Sequence, residues 1–221
     1  MIVLVRASPG RPPVPMDRIL AAALHIIDDE GIDALTMRNL AGKMNSGTAM
    51  LYRHFASRSD LTMKVADLLF ADSDATIGKD ITWQEFCRIL AHRMFDALSR
   101  HPGVARLLVE SAPTGPNAFA QRERSLSLLL SSGFPPEMAA RAYTTLAHFV
   151  LGFAVQFAGH GRQNEQSVGK IAAITQLDPV LFPATIAVSH ALPIPLEEEF
   201  SFGLELLIDG IARLRAETAK S

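Results

Sequence analysis

The sequence predicts an all-α protein: a three-helix helix-turn-helix unit followed by a larger helical domain. Two observations carry this. First, in Thr36 to Arg58 the apolar residues Met37, Leu40, Ala41 and Met44 fall at i, i+3, i+4 and i+7, the spacing of a one-faced helix. Asn45, Ser46 and Gly47 then form a turn, after which Leu51 and Phe55 point a second short helix back onto the first. Second, the remaining long apolar stretches keep a period of three to four residues, and two of them are apolar on every face.

A helix, tight turn and helix of this kind can place its second helix in the DNA major groove with its outward side chains at the base edges. The outward positions are Thr48, Ala49, Tyr52 and His54. Thr48 can bond several base edges, Ala49 can meet a thymine methyl, and Tyr52, His54 and Arg58 can reach phosphates or bases. A helical hairpin buried in any all-α protein is the competing reading of the same pattern.

At 221 residues the chain can bury a sizeable core in one or two domains. Its 21 basic and 23 acidic residues give a net charge of −2, so no overall basic signature marks it for nucleic acid. The charge is unevenly shared: residues 1–60 sum to +1 and the remainder to −3. Cys87 is the only cysteine, which excludes an internal disulfide and a paired-thiol metal site. That usage fits a reducing cytoplasm. Met1 to Val5 is too short for a signal-peptide core, and Leu146 to Ala158 falls short of the ~20 residues a bilayer needs.

Residues 1–15, with four prolines, Gly10, Arg6 and Arg11, cannot bury enough apolar surface to order themselves and are expected to form a flexible arm. Arg6 and Arg11 on this extended backbone could lie in a minor groove; a tail with incidental arginines is the alternative. The helix-turn-helix domain is placed at 16–60. Its first helix, Asp17 to Glu30, carries Ile19, Ala23, Ile26 and Ile27 inward and stops at Gly31. Thr36 caps the next helix, and Ser57 with Asp60 resembles a capping box that opens a fourth with Leu61, Val65, Leu68 and Leu69 inward.

Residues 61–221 are read as a ligand-binding and dimerisation domain, entered through a polar junction at Asp72 to Thr82. Trp83, Phe86, Cys87, Leu90, Met94, Ala97 and Leu98 share one helical stripe. Pro102-Gly103 and Pro113 to Pro116 break the chain on either side of a short segment, and a further helix runs from about Asn117 to Ser131. Glu137 to Ala158 and Phe200 to Leu214 are the stretches apolar all round; a second copy of the chain would cover their excess as a four-helix bundle. Gly159 to Gly169 is polar and glycine-rich, and Ala184 to Leu192 is a short helical piece among prolines.

The residues Leu35-Thr36-Met37-Arg38, Leu40-Ala41, Leu51-Tyr52-Arg53-His54-Phe55 and Asp60-Leu61 resemble the DNA-binding domain of the TetR family of bacterial transcriptional repressors. Asn45-Ser46 and Met50 depart from the family's usual residues at the start of the recognition helix. Thr82-Trp83-Gln84-Glu85-Phe86, Ser132-Gly133-Phe134, His148-Phe149-Val150-Leu151-Gly152 and Phe202-Gly203-Leu204-Glu205-Leu206 are similar to the family's tetracycline-responsive regulatory domains. The resemblance implies a homodimeric repressor on duplex DNA, with Arg38 at a contact position. It also implies an effector pocket whose enclosing segments supply Leu108, Phe119, His148 and Gln156, beside Trp83, Phe86, Leu90 and Met94 of the stripe. The histidine, glutamate and asparagine that hold magnesium and drug in those relatives are matched here by Leu108, Gln156 and Leu90. A largely apolar effector bound without metal or cofactor is therefore expected.

No G-x-S-x-G, phosphate-binding glycine loop, H-E-x-x-H or Glu-x-x-His pattern is present. His148 in an apolar helix is the behaviour of a satisfied core residue as well as of a ligand contact. An all-α enzyme and a helical protein-interaction module without DNA binding are the readings of other classes, separated from a regulator by turnover or by purification as a heteromer.

Overall fold

The computed structural model describes residues 14–71, 81–160 and 177–218, which form ten α-helices, two short 3-10 turns and no strand. The expected arm with Arg6 and Arg11, most of the junction at 72–82 and the polar stretch at 159–169 lie largely outside these residues. The chain divides into two compact units, Met1–Leu61 and Thr62–Ser221.

In the first unit, α1 (Met16–Glu30) turns Ile19, Leu20, Ala23, Ile26 and Ile27 inward. A 3-10 turn at Ile32–Ala34 leads to Thr36, whose hydroxyl accepts the amide of Asn39 and so caps α2 (Met37–Lys43). The turn after α2 has an identifiable cause. Ser46 N–H donates to the carbonyl of Ala41 and Asn45 N–H to that of Gly42, a Schellman motif with Asn45 in the left-handed region at φ 49°. Asparagine tolerates that conformation where most residues do not. The next helix, α3 (Thr48–Leu51), is shorter than its apolar spacing suggests. Its last turn tightens into i→i+3 bonds from Arg53 to Met50 and from His54 to Leu51, and this brings Phe55 into the core beside Leu51. Ser57 then accepts the amide of Asp60 at the start of α4 (Arg58–Leu68), while the Asp60 carboxylate accepts from Ala56 N–H, one residue ahead of the usual capping-box partner. Glu30 ties α1 to α2 by accepting from Lys43 at 2.7 Å and Asn39 at 3.0 Å.

The second unit contains α5 (Trp83–Arg100), α6 (Pro102–Glu110), α7 (Pro116–Ser131), α8 (Pro136–His160), α9 (Pro183–Val188) and α10 (Leu196–Thr218). A full capping box between Thr82 and Glu85 starts α5. The α7–α8 turn is a second Schellman motif, with Gly133 at φ 85°. α8 packs on α5, α6, α7 and α10 and is the hub of the unit. Where α5, α8 and α10 meet, Phe200 stacks on Phe95 at 4.3 Å and on Phe149 at 5.3 Å, with Phe153 edge-on at 5.5 Å. By length and composition Pro136–Phe157 could cross a bilayer, a longer stretch than the Leu146 to Ala158 run noted in the sequence. Its inward residues instead close the core of this helical domain, and its remaining apolar face is uncovered in a single chain. α10 is likewise one-faced rather than buried all round: Phe200, Leu204, Ile208 and Ile211 are inward, whereas Phe202, Leu206 and Leu214 are exposed.

Candidate functional site

Two regions of the fold gather the residues singled out in the sequence. The first is the surface of α2 and α3. The Schellman turn aims α3 so that Leu51 is fully buried while Ala49 and Tyr52 face solvent, Tyr52 with 58% of its surface exposed. Arg38 is exposed on the first turn of α2, and Thr48 and His54 are half-buried, His54 beside the ring of Phe55. Arg58 does different work from that expected. Its Nε donates to the carbonyl of Leu35 and its Nη2 to that of Ile32, at 2.5 and 2.6 Å. The Ile32 carbonyl also accepts the Leu35 amide that closes the 3-10 turn before α2, and the guanidinium fork bonds both carbonyls at once. Arg53, exposed next to Tyr52, is the further basic side chain on this surface, and it was legible only as part of the Leu51 to Phe55 motif.

The second region is a cavity of about 640 Å³ inside the second unit, walled by α5, α6, α7 and α8. Its size lies in the range typical of small-molecule sites, about 300–1,000 Å³. Phe86, Leu90, Met94, Leu108 and His148 line it, as the sequence suggested. Three expected residues do not. Trp83 packs edge-on against Phe134 at 4.9 Å, below the cavity's α5 wall, and its buried indole N–H has no hydrogen-bond partner. Phe119 is 48% exposed and lies under the guanidinium of Arg122. Gln156 lies beyond the α8 wall, which ends at Leu151, and its side chain is turned back toward the carbonyl of Gly152. His148 is also not a core residue: it is exposed on α8 while bordering the cavity.

The lining includes polar groups that sequence reasoning passed over: Gln121, Arg122 and Ser125 of α7, and Tyr143 and Thr144 of α8. A signal for two of them exists, because Ala118, Gln121, Ser125 and Leu129 are buried and recur at steps of three and four, a core face with polar members. The Ser125 hydroxyl donates to the carbonyl of Gln121 at 2.9 Å. Cys87 borders the same space, and burial pushes its thiol up to about 12, so it is a protonated, apolar wall group at neutral pH rather than a nucleophile. Leu108 and Leu90 present only hydrocarbon to the cavity.

The family model for the tetracyclin repressor-like C-terminal domain matches residues 78–215, and that for bacterial regulatory proteins of the tetR family matches residues 19–63. This chain belongs to the TetR family. The family member described here is 27% identical to the HTH-type transcriptional repressor DrrR1 of Streptomyces coeruleorubidus, over 97% of this chain and 85% of that one. It is 27% identical to the class G tetracycline repressor of Vibrio anguillarum, over 90% of this chain and 93% of that protein. Among solved structures, apo ActR from Streptomyces coelicolor superposes with a TM-score of 0.84 at 28% identity, covering 95% of this chain and all of that one. ActR has also been crystallised with actinorhodin, and that structure superposes with a TM-score of 0.81. The TetR-family chain is therefore an all-α DNA-binding transcription regulator by class, and its relatives are regulators rather than enzymes.

Proposed function

We propose that this TetR-family protein is a cytoplasmic transcriptional repressor that holds a palindromic operator as a homodimer and leaves it when a small, largely apolar effector fills the cavity. The observation that carries the reading is that cavity, walled by Phe86, Leu90, Met94 and Leu108 in the same chain as a helix-turn-helix. Tyr52 and Arg38, with Thr48 and Ala49, are the operator-reading side chains; Arg53 is added and Arg58 serves the fold. The exposed stripe of Phe202, Leu206 and Leu214 on α10, with the uncovered face of α8, supports dimerisation, since an isolated chain would leave this surface in water. Two DNA-binding heads must stand about 34 Å apart to enter successive major grooves, so an effector that binds better to another spacing pulls the dimer off DNA.

The test is operator retention on the DNA flanking the gene, followed by a screen of hydrophobic compounds for release with and without magnesium. Tyr52→Ala and Arg38→Ala should each weaken operator binding by about 1–3 kcal/mol. Met94→Trp, which fills the cavity, should abolish the response to any active compound while leaving operator affinity intact. A strict magnesium requirement, or a full response in the filled variant, would remove the effector from this cavity.

A further inference from the structure

Among the described residues that line the cavity, Arg122 is the only one with a fixed charge, and no aspartate or glutamate reaches the wall. Its guanidinium engages rings instead of a carboxylate: it lies 5.3 Å from the centroid of Phe119 and 6.0 Å from that of Tyr143. The two rings come from α7 and α8, and their contacts with the half-buried side chain favour one placement of the planar fork before any ligand arrives. A cation bordering a mostly hydrocarbon wall is poorly solvated on that side, and its unused N–H donors are best satisfied by an anion that accepts both at once. The surrounding polar groups fit the same partner. Tyr143 and Thr144 can donate hydroxyl protons, and His148 can add an imidazole N–H donor on the α8 wall. A cationic ligand would meet Arg122 without a compensating carboxylate.

Building on the effector reading above, we propose that the effector is an apolar acid: a hydrophobic, ring-sized body against Phe86, Leu90, Met94 and Leu108, carrying one ionised acidic group that accepts the fork of Arg122. Arg122 is thus the residue that sets ligand class, while the α5 stripe sets only size and shape.

The matched probes are anilinonaphthalene sulfonate and its uncharged parent, phenylnaphthylamine, which share one aromatic body and differ by the acidic group. Fluorescence titrations would use the full-length protein as wild type, Arg122→Met, Arg122→Lys and Met94→Trp. The sulfonate should bind wild type more tightly than the neutral probe, and Arg122→Met should weaken it about ten- to a hundredfold, the range of a hydrogen-bonded charge pair, with phenylnaphthylamine unchanged. Arg122→Lys should recover part of the loss, and Met94→Trp should abolish binding of both. Equal affinities for the two probes, or a sulfonate affinity indifferent to Arg122→Met, would overturn the acid preference while leaving the cavity as the effector site. If Met94→Trp displaced neither probe, the effector site itself would be elsewhere and this inference would fall with it.

Discussion

The contact between Asp67 and Gly115 should behave as one energetic unit. Asp67, on α4 within the second unit, is 5% exposed, and its carboxylate caps the start of α7: Oδ1 accepts the amide of Ala118 at 2.9 Å, and Oδ2 accepts the amide and the side-chain Nδ2 of Asn117 at 3.2 and 3.0 Å. Losing a helix cap costs about 0.5–2 kcal/mol, and hydrogen bonds to a charged group about 1.5–3 kcal/mol each. The three bonds share one carboxylate and do not add fully, so Asp67→Ala should destabilise by about 3 kcal/mol. Gly115 has an ordinary φ of −77°, so alanine there is not strained by backbone geometry. A Cβ at Gly115 would instead fall on the Asp67 carboxylate, and the same three bonds must break. Gly115→Ala should therefore cost about as much as Asp67→Ala, and the double variant should cost about 3 kcal/mol rather than twice that, because the clash disappears with the carboxylate. Thermal unfolding by circular dichroism reads each cost as a fall of roughly 6–12 °C for a domain of this size. Losses that add to within about 0.5 kcal/mol would refute the account.

Arg58→Ala should lower the stability of the first unit by about 1.5–3 kcal/mol, because two carbonyls lose a charged donor; an unchanged unfolding midpoint together with weaker operator binding would return Arg58 to the DNA. Leu206→Glu should split the dimer in sedimentation while leaving the helical spectrum intact, whereas Leu204→Glu, fully buried, should unfold the domain; the reverse pattern would place the interface on another face. Arg88 grips Glu205 through paired contacts of 2.7 and 2.8 Å and holds its carboxyl below the ordinary 4.5. A lowered folded value means the contribution is fully present above pH 4.5 and lost as pH falls through that lowered value. Both side chains are more than a third exposed, so Glu205→Gln should cost under about 1 kcal/mol at neutral pH, and wild type and variant should converge in acid; a gap that widens in acid would contradict the assignment.

What the sequence determined by itself is what short-range rules can carry. Periodicity fixed the helices and their inward faces in the first unit, since Ile19, Leu40, Leu51 and Leu61 need only a helical repeat to be sorted inward. Caps and turns at Thr36, Asn45 and Gly133 were legible because each acts on residues within one helical turn. The α5 wall of the cavity was legible for the same reason, as Phe86, Leu90 and Met94 lie on one stripe. Tertiary structure decided whatever depends on a neighbour distant in the chain. Arg58 bonded the carbonyls of Ile32 and Leu35, 26 and 23 residues away, and Asp67 found α7 about 50 residues on. Trp83 left the cavity because Phe134 was available to it, and only the meeting of α7 with α8 put Arg122 within reach of a ring from each helix on an apolar wall. Periodicity states which face of a helix is inward; which groups meet there is set by the packing of helices from distant parts of the chain.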